Sequence, residues 1–313
     1  MKAVRPKTFS SGAGLVWRWQ RILWWIFIVN LVFAVFAVRG LVERAAPAMD
    51  HSLASQRLVD GFDTSALAEL MAQPDSPVEA PGPAVFHYSV IFAIFMVFVA
   101  GGILATYYYD AKPTTTAFFE ACGHHFWRFV RLVIYMLLAF IPMGILIAIC
   151  QAIHDRIEDK SISPYSSVYF SYAAALVVLL LLIALRLWFD MAQVIAVAED
   201  ETRMHRALRR AASLLLHNFG SLFWLYIRIS LLAWIFCGLA LHFWMYHLRP
   251  QATTAAFLLG QAIVLFWIGT RLWQRASEVL WYRNFRAAAV AESASSPAPS
   301  PEPAPLPYST AMN

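Results

Sequence analysis

The sequence predicts an all-α, polytopic transmembrane helical bundle of six spans, and two observations lead to that fold class. First, 60% of the 313 residues are hydrophobic and only 14% are charged, whereas a soluble domain is about 45–50% apolar and about 25% charged. Second, six predominantly apolar runs approach or exceed the length of about 20 residues that crosses a hydrocarbon core. Because only helices and closed barrels span a bilayer, and alternating strands of about ten residues are missing, we expect helices.

The six spans follow one another within a predicted transmembrane domain of residues 22–290. A basic segment, residues 1–21, precedes them and is predicted to be a cytoplasmic N-terminus. The alternative for the first span is a cleaved signal peptide, but bulky Arg39 stands where a small-residue cleavage site would be expected. The predicted spans cover residues 22–42, 85–109, 132–153, 168–189, 221–246 and 253–270.

The distribution of Lys and Arg predicts the orientation, because positive residues are retained on the cytoplasmic side. Seventeen of them lie in the N-terminus, after the second and fourth spans and in the tail, against six in the alternate connections. Both termini are therefore predicted to be cytoplasmic and the loop 40–84 periplasmic. The net charge of +5 follows from this flanking pattern rather than from one basic patch, so we expect no nucleic-acid partner.

Two segments outside the spans have distinct compositions. The loop 40–84 carries seven acidic and two basic residues, and its apolar residues recur at helical spacing, with Asp63 placed to cap a short helix near Thr64. It is either a lid or partner-binding arm, or a tether packed on the outer ends of the spans. The tail 291–313 is rich in Ala, Ser and Pro, and is predicted to be disordered.

The connection after the fourth span has the pattern of a helix that lies in the membrane interface. Residues 199–217 place apolar side chains on one face and arginines on the other, which is typical of interfacial amphipathic helices on anionic lipid. A second such helix, residues 114–131, leads into the third span. The residues predicted to contact lipid headgroups are Arg203, Arg206 and Arg210.

The chain between the second and fifth spans suggests an internal repeat. Each of two hairpins has a span that ends in an aromatic residue and Asp, at Tyr109-Asp110 and Phe189-Asp190, followed by a His-containing helix and a rising span. Repeats of equal topology would be related by an axis along the membrane normal. The shared topology imposes much of this similarity by itself, so coincidence remains the alternative.

Two stretches carry a resemblance to a known family. AFFEACGHHFWRFVRL, residues 117–132, and FDMAQVIAVAEDETRMHRALRRA, residues 189–211, resemble a family of bacterial multi-pass inner-membrane proteins of unknown function. The resemblance covers about residues 101–220. It implies a bacterial inner membrane and a helical bundle, and it carries no activity or site residues over to this chain.

Residues with catalytic or metal-binding chemistry are few. Cys122, His124 and His125, with Glu120 nearby, form the one local cluster of metal-ligand types. A structural zinc site draws its ligands from two segments, and the second is missing from the sequence pattern, so we predict no metal or cofactor. No phosphate loop, serine motif or intramembrane pair of carboxylates is found, so we predict that the protein is not an enzyme.

Arg228 is the one basic residue well inside a predicted span. A central Arg costs about 2.5–3.5 kcal/mol on insertion scales, so it needs a partner. Asp190, at the end of the fourth span, is the predicted partner, although Arg186 competes for it from one turn away on the same helix. The Arg228–Asp190 pair would either stabilise helix packing or hold a substrate.

Small residues and one proline mark sites of helix packing. Pro142 removes a backbone donor from the middle of the third span and is predicted to kink it. Gly101 with Ala105, and Ala256 with Gly260, offer small faces for close helix contact.

These observations favour an integral inner-membrane protein that acts as a non-enzymatic accessory, assembly or lipid-interface factor. Its expected partners are membrane lipids, mainly anionic, together with a possible membrane protein. The alternative is a small-solute transporter or channel. The predicted kink at Pro142, the suggested repeat and the intramembrane Arg228 favour this alternative.

Overall fold

The computed structural model describes residues 7–50, 83–110, 114–160, 164–248 and 252–295 together with Lys112, and within them it contains helices and no strand. Six of its helices are long and apolar enough to cross a membrane, which confirms the predicted all-α bundle of six spans. In chain order the helices are α1 (Lys7–Arg18), α2 (Gln20–Asp50), α3 (Pro83–Tyr109), α4 (Thr115–Lys160), α5 (Pro164–Ala198), α6 (Met204–His247) and α7 (Thr253–Ser295).

Several helices extend beyond the predicted spans. Helices α4, α6 and α7 have 46, 44 and 43 residues, so each is about 65–70 Å long, more than twice the thickness of a hydrocarbon core. Helix α2 continues to Asp50, into the predicted loop 40–84, and α7 continues to Ser295, into the predicted tail 291–313; the span boundaries stay predictions. Residues 51–82, with the predicted helix near Thr64, and residues 296–313 lie outside the described part of the chain.

The buried core lies at one end of the bundle, which we call the packed end and define by the turns at Asp110 and Asp200. Here α1 and the C-terminal parts of α3, α5 and α7 meet the N-terminal parts of α4 and α6. Helix α7 is central, since it contacts α1, α2, α3, α5 and α6. Large side chains that are fully buried in this core include Tyr107, Phe129, Leu132, Leu187, Met191 and Leu222.

Away from the packed end, the helices expose apolar side chains on their outer faces. Leu137 and Ile141 in α4, Leu176 in α5 and Trp234 and Leu239 in α6 are all more than half exposed. Exposing apolar surface to water costs about 25 cal/mol per Å², whereas lipid chains remove that cost. A bundle whose helices are packed at one end and expose apolar side chains along the rest of their length is therefore the expected form of a membrane-embedded protein.

Two glycines allow α3 to approach α4 closely. A Cβ atom at Gly101 would lie 2.9 Å from the Cβ of His125, and one at Gly102 would lie 2.6 Å from the Sγ of Cys122. This contact confirms the predicted small face around Gly101. Around Gly260 an added Cβ would meet no atom within 4 Å, so the predicted close contact at that glycine is wrong.

The helical dihedrals of α6 are interrupted at Asn218, whereas the kink at Pro142 stays a prediction. Helix α4 continues through Pro142 as one helix, whereas Asn218 in α6 has non-helical dihedrals, φ −126° and ψ 22°. The Asn218 side chain donates a hydrogen bond to the carbonyl of Leu214 at 3.1 Å, and so satisfies an acceptor one turn back. The kink separates residues 204–217 from the fifth span, at the boundary that the sequence predicts.

Candidate functional site

Polar and charged side chains from α5, α6 and α7 gather inside the bundle near the packed end. We call them the polar cluster, and each occupies a helix position that faces a neighbouring helix rather than lipid. Such groups are costly in a membrane unless they pair or serve a function. The polar cluster consists of Arg186, Asp190, Tyr226, Arg271, Gln274 and Glu278.

Glu278 is the most buried charged group of this cluster, with 2% of its surface exposed. The Nε2 of Gln274, one turn earlier on α7, donates to its Oε1 at 3.1 Å. Its other oxygen, Oε2, is buried and has no hydrogen-bond partner among the described residues. A half-satisfied buried carboxyl group is an unfavourable arrangement that a passive core would not need.

Arg186 and Asp190 form an ion pair on α5, with 3.4 Å between Nε and Oδ2. The guanidinium of Arg186 also lies over the ring of Tyr226 on α6, 5.8 Å from its centroid. Arg271 on α7 interacts with the Tyr226 hydroxyl and lies 5.2 Å from the centroid of Trp267. Tyr226 therefore links the arginines of two helices.

A cavity of about 380 Å³ adjoins the polar cluster between α5, α6 and α7. Thr270, Arg271 and Gln274 line its polar side, while most of its remaining wall is apolar. Leu179, Leu231 and Trp234 belong to that wall and are themselves 53%, 56% and 67% exposed, so the cavity reaches the lipid-facing surface. A cavity with an arginine at its polar side and apolar side chains along its walls suits an amphiphilic ligand with an anionic head.

The predicted pair between Arg228 and Asp190 does not form. Asp190 binds Arg186 instead, and Arg228 is exposed, with its guanidinium 5.0 Å from the centroid of the Trp224 ring. The reason is the helix phase: Tyr226 faces α5, and two residues further on the side chain points about 200° away. Arg228 therefore lies on the outer surface of α6, with its guanidinium over Trp224, which is one turn nearer the packed end.

The three arginines predicted to contact lipid have different surroundings. Arg203 and Arg206 are exposed, on the side of α6 opposite its buried face of Met204, Ala207 and Leu208. Arg210 forms an ion pair with Glu199 and lies 3.9 Å from Glu201. Arg210 therefore has an intramolecular partner as well, and lipid binding by all three arginines stays a prediction.

Helices α3 and α5, the first helices of the two hairpins in the suggested repeat, are followed by similar turns. In the second hairpin the turn lies at Asp200 and not at the predicted Asp190. Asp110 and Asp200 both have φ of +48°, the left-handed conformation that commonly ends a helix and that Asp tolerates. Asp190 lies eight residues before the end of α5. The residue that corresponds to Asp110 is therefore Asp200, because α5 continues about two turns beyond the predicted end of its span.

The C-terminal half of α7 connects both of these turns. Tyr282 donates to the Oε1 of Glu199 at 2.8 Å, Arg283 donates to the carbonyl of Tyr108 and Arg286 to that of Ala198, each at 3.4 Å. The two arginine bonds satisfy carbonyls at the C-termini of α3 and α5, which lack partners within their own helices, and the Tyr282 bond links α7 to the Glu199 side chain after α5.

The sequence does not locate the polar cluster, because its members come from three helices that are far apart in the chain. Arg271, Gln274 and Glu278 follow the sixth predicted span, where charged residues suggest a solvated connection. One signal in the sequence is the recurrence of apolar residues at Leu272, Ala276 and Val279, at spacings of four and three, which is typical of a helix that continues with one buried face.

Comparisons of this chain with protein-family models, with curated proteins and with solved structures found no match.

Proposed function

We propose that this protein is a non-enzymatic factor of the bacterial inner membrane that acts at the lipid interface, by holding an anionic lipid in the cavity between α5, α6 and α7. The observation that carries the proposal is the cavity itself, which has apolar walls open to the bilayer and Arg271 at its polar side. An accessory or assembly role, with a membrane protein as partner, would use the bound lipid and the exposed apolar faces as its contact surface.

The depth of the cavity supports a lipid as its ligand. Arg271 is eighteen residues from the start of α7, about 27 Å along a helix, which is close to the thickness of a hydrocarbon core of about 30 Å. It would lie at headgroup level in the leaflet at the packed end. Leu179, eleven residues before Asp190 on α5, lies about 16 Å from that level, so the apolar wall has the length of one acyl chain.

Retention of lipid by the purified protein tests the proposal. Native mass spectrometry in mild detergent would compare added phosphatidylglycerol with phosphatidylcholine. We expect Arg271→Gln to retain several-fold less phosphatidylglycerol than the wild type, while Arg271→Lys keeps most of the binding. Arg228→Gln is the matched control, because it removes an arginine from the outer surface of the neighbouring helix. Equal retention by all four proteins would rule out this site.

The same measurement tests the lipid contacts predicted from the sequence. Replacing Arg203 and Arg206 with Gln removes two exposed charges, each contributing about 1 kcal/mol near an anionic surface, and should lower the number of bound anionic lipids. Arg210→Gln should instead lower thermal stability, since Arg210 pairs with Glu199. An unchanged lipid count in the double variant would contradict the interfacial role.

The polar cluster favours one alternative function, a small-solute transporter or channel. Buried atoms without hydrogen-bond partners among the described residues include the Tyr107 hydroxyl, Nη1 of Arg275 and Oε2 of Glu278, and unpaired polar groups inside a helical bundle can line a solute or proton path. Proteoliposomes with an imposed pH gradient would distinguish the functions. Transport would be supported if the pH gradient decays faster than in empty liposomes and if this extra decay disappears in Glu278→Gln. That result would favour the transporter over the lipid-holding role.

A further inference from the structure

A second polar group lies on the surface of the packed end, away from the cavity. His124 and His125 belong to the first turns of α4, and Asp200 belongs to the turn between α5 and α6. One potential ligand atom from each residue lies within 4.8 Å of the other two. We propose that these three residues bind a divalent transition-metal ion of the Zn²⁺ class.

The fold supplies the second ligand segment that the sequence pattern lacks. The Nε2 of His124 lies 2.9 Å from the Oδ1 of Asp200 across 76 residues of sequence. Ligand atoms at about 2.0–2.2 Å from a tetrahedral zinc ion lie about 3.4 Å from one another, so the group needs only a small adjustment to surround an ion. Cys122, by contrast, is buried against Gly102 and is directed into helix packing.

The environment of His125 supports a ligand at this position. Its side chain belongs to the cluster, yet the residue is only 6% exposed, and its Nδ1 is buried with no hydrogen-bond partner among the described residues. Buried polar atoms are normally satisfied, and the imidazole nitrogens of this ring are good ligands for zinc and related ions. Two imidazoles and one carboxylate leave open positions for water, as in zinc sites with three protein ligands.

Arg128 determines how strongly the ion would bind. Its guanidinium contacts the Oδ1 of Asp200, and its Nη2 lies 3.2 Å from the Nε2 of His124. An arginine can only donate, so on the Oδ1 of Asp200 it occupies a lone pair that a metal ion could take, and its charge lies beside the His124 ring. Both contacts to Asp200 use Oδ1, which leaves Oδ2 for the ion, and Arg128 acts as a competing cation that weakens binding.

Zinc titration of the full-length protein tests the site. Protein purified without a polyhistidine tag and treated with EDTA would be titrated with Zn²⁺ against a chromophoric chelator, and its metal content measured by elemental mass spectrometry. We expect one Zn²⁺ per chain, at least tenfold weaker binding in His124→Gln and in Asp200→Asn, and tighter binding in Arg128→Gln. His205→Gln, which removes an exposed histidine of α6 outside the group, should bind as the wild type does.

Folding of the variants does not obscure the result. His124 has 52% of its side chain exposed, so His124→Gln opens no cavity and decides the question even if Asp200→Asn is unstable. The increase of melting temperature on adding Zn²⁺ should be present in the wild type and lost in His124→Gln. Zinc binding of equal strength in His124→Gln and the wild type, or no stoichiometric binding at all, would overturn the proposal.

Discussion

At the scale of single residues, Arg228 and Arg186 show that helix phase determines whether an arginine in an apolar helix forms an ion pair. Both arginines lie in apolar helices, but only Arg186 has a carboxylate within ion-pair distance, at Asp190. Arg228 lies over an aromatic ring on the outer surface, a contact worth about 0.5–1 kcal/mol at an exposed site.

We therefore expect Arg228→Leu to change the free energy of unfolding in detergent by no more than about 1 kcal/mol. Arg186→Leu should destabilise the protein by about 1–3 kcal/mol, because it leaves the largely buried carboxylate of Asp190 without its partner. Thermal unfolding of the two variants at pH 7 measures both effects. A larger loss in Arg228→Leu than in Arg186→Leu would show that the arginine partners are assigned the wrong way round.

Asp200 provides a test of pH dependence. Hydrogen bonds from His124 and then Arg128 lower the pKa of its carboxyl group below the ordinary value. A lowered native pKa stabilises the fold above the unfolded value of about 3.9, and this contribution is lost as the pH falls through the native value. Because Asp200 is exposed, its charge should contribute only about 0.2–1 kcal/mol at neutral pH.

Melting curves of the wild type and Asp200→Asn, measured in EDTA, should differ above about pH 4 and converge as the pH falls further, through the lowered native pKa of Asp200. Asn tolerates the left-handed backbone as Asp does, so the substitution isolates the charge. A difference that persists unchanged at the lowest pH would mean that the carboxylate charge has no part in it.

At the scale of elements, the close contact between α3 and α4 rests on the absence of a side chain at Gly102. A Cβ there would lie 2.6 Å from the Sγ of Cys122 and 2.8 Å from Cε2 of Phe118. Gly102→Ala should therefore destabilise the protein by about 1–3 kcal/mol through overpacking.

Gly123 on α4 is the matched control, because an added Cβ there would meet no atom within 4 Å. Gly123→Ala should be neutral or stabilising by up to about 1 kcal/mol, since Ala has the higher helix propensity. Thermal unfolding of both variants measures the contrast. Equal melting temperatures would show that the two helices are further apart than described.

At the scale of the whole molecule, the distribution of charge predicts that the packed end faces the cytoplasm. The packed end holds the turns at Asp110 and Asp200, and Arg203, Arg206 and Arg210 lie beside the second of them. The loop 40–84, most of which lies outside the described residues, would then be periplasmic.

Thiol labelling tests this orientation in a background that lacks Cys122, Cys150 and Cys237. A membrane-impermeant maleimide should label Ser76→Cys in spheroplasts, whereas Thr202→Cys, in the turn at the packed end, should react only after the inner membrane is opened. The reverse pattern of labelling would show that the protein is inserted with the opposite orientation.

The sequence by itself determined the fold class, the number of spans and the boundary near Asn218. These features depend on local composition and periodicity. An apolar run that crosses the bilayer must form a helix, because only the helix satisfies the hydrogen bonds of its backbone there. The charged connections are equally local, so the predicted orientation also follows from the sequence alone.

Only the tertiary structure decided which polar groups meet. Asp200 in the turn after α5 joins His124 on α4 across 76 residues of sequence, and Tyr226 on α6 links Arg186 on α5 to Arg271 on α7. Each outcome depends on the phase and length of long helices, and on a residue on one helix meeting another far away in the chain. One residue of error turns a side chain by about 100°, so spacing along a single sequence could not locate these contacts.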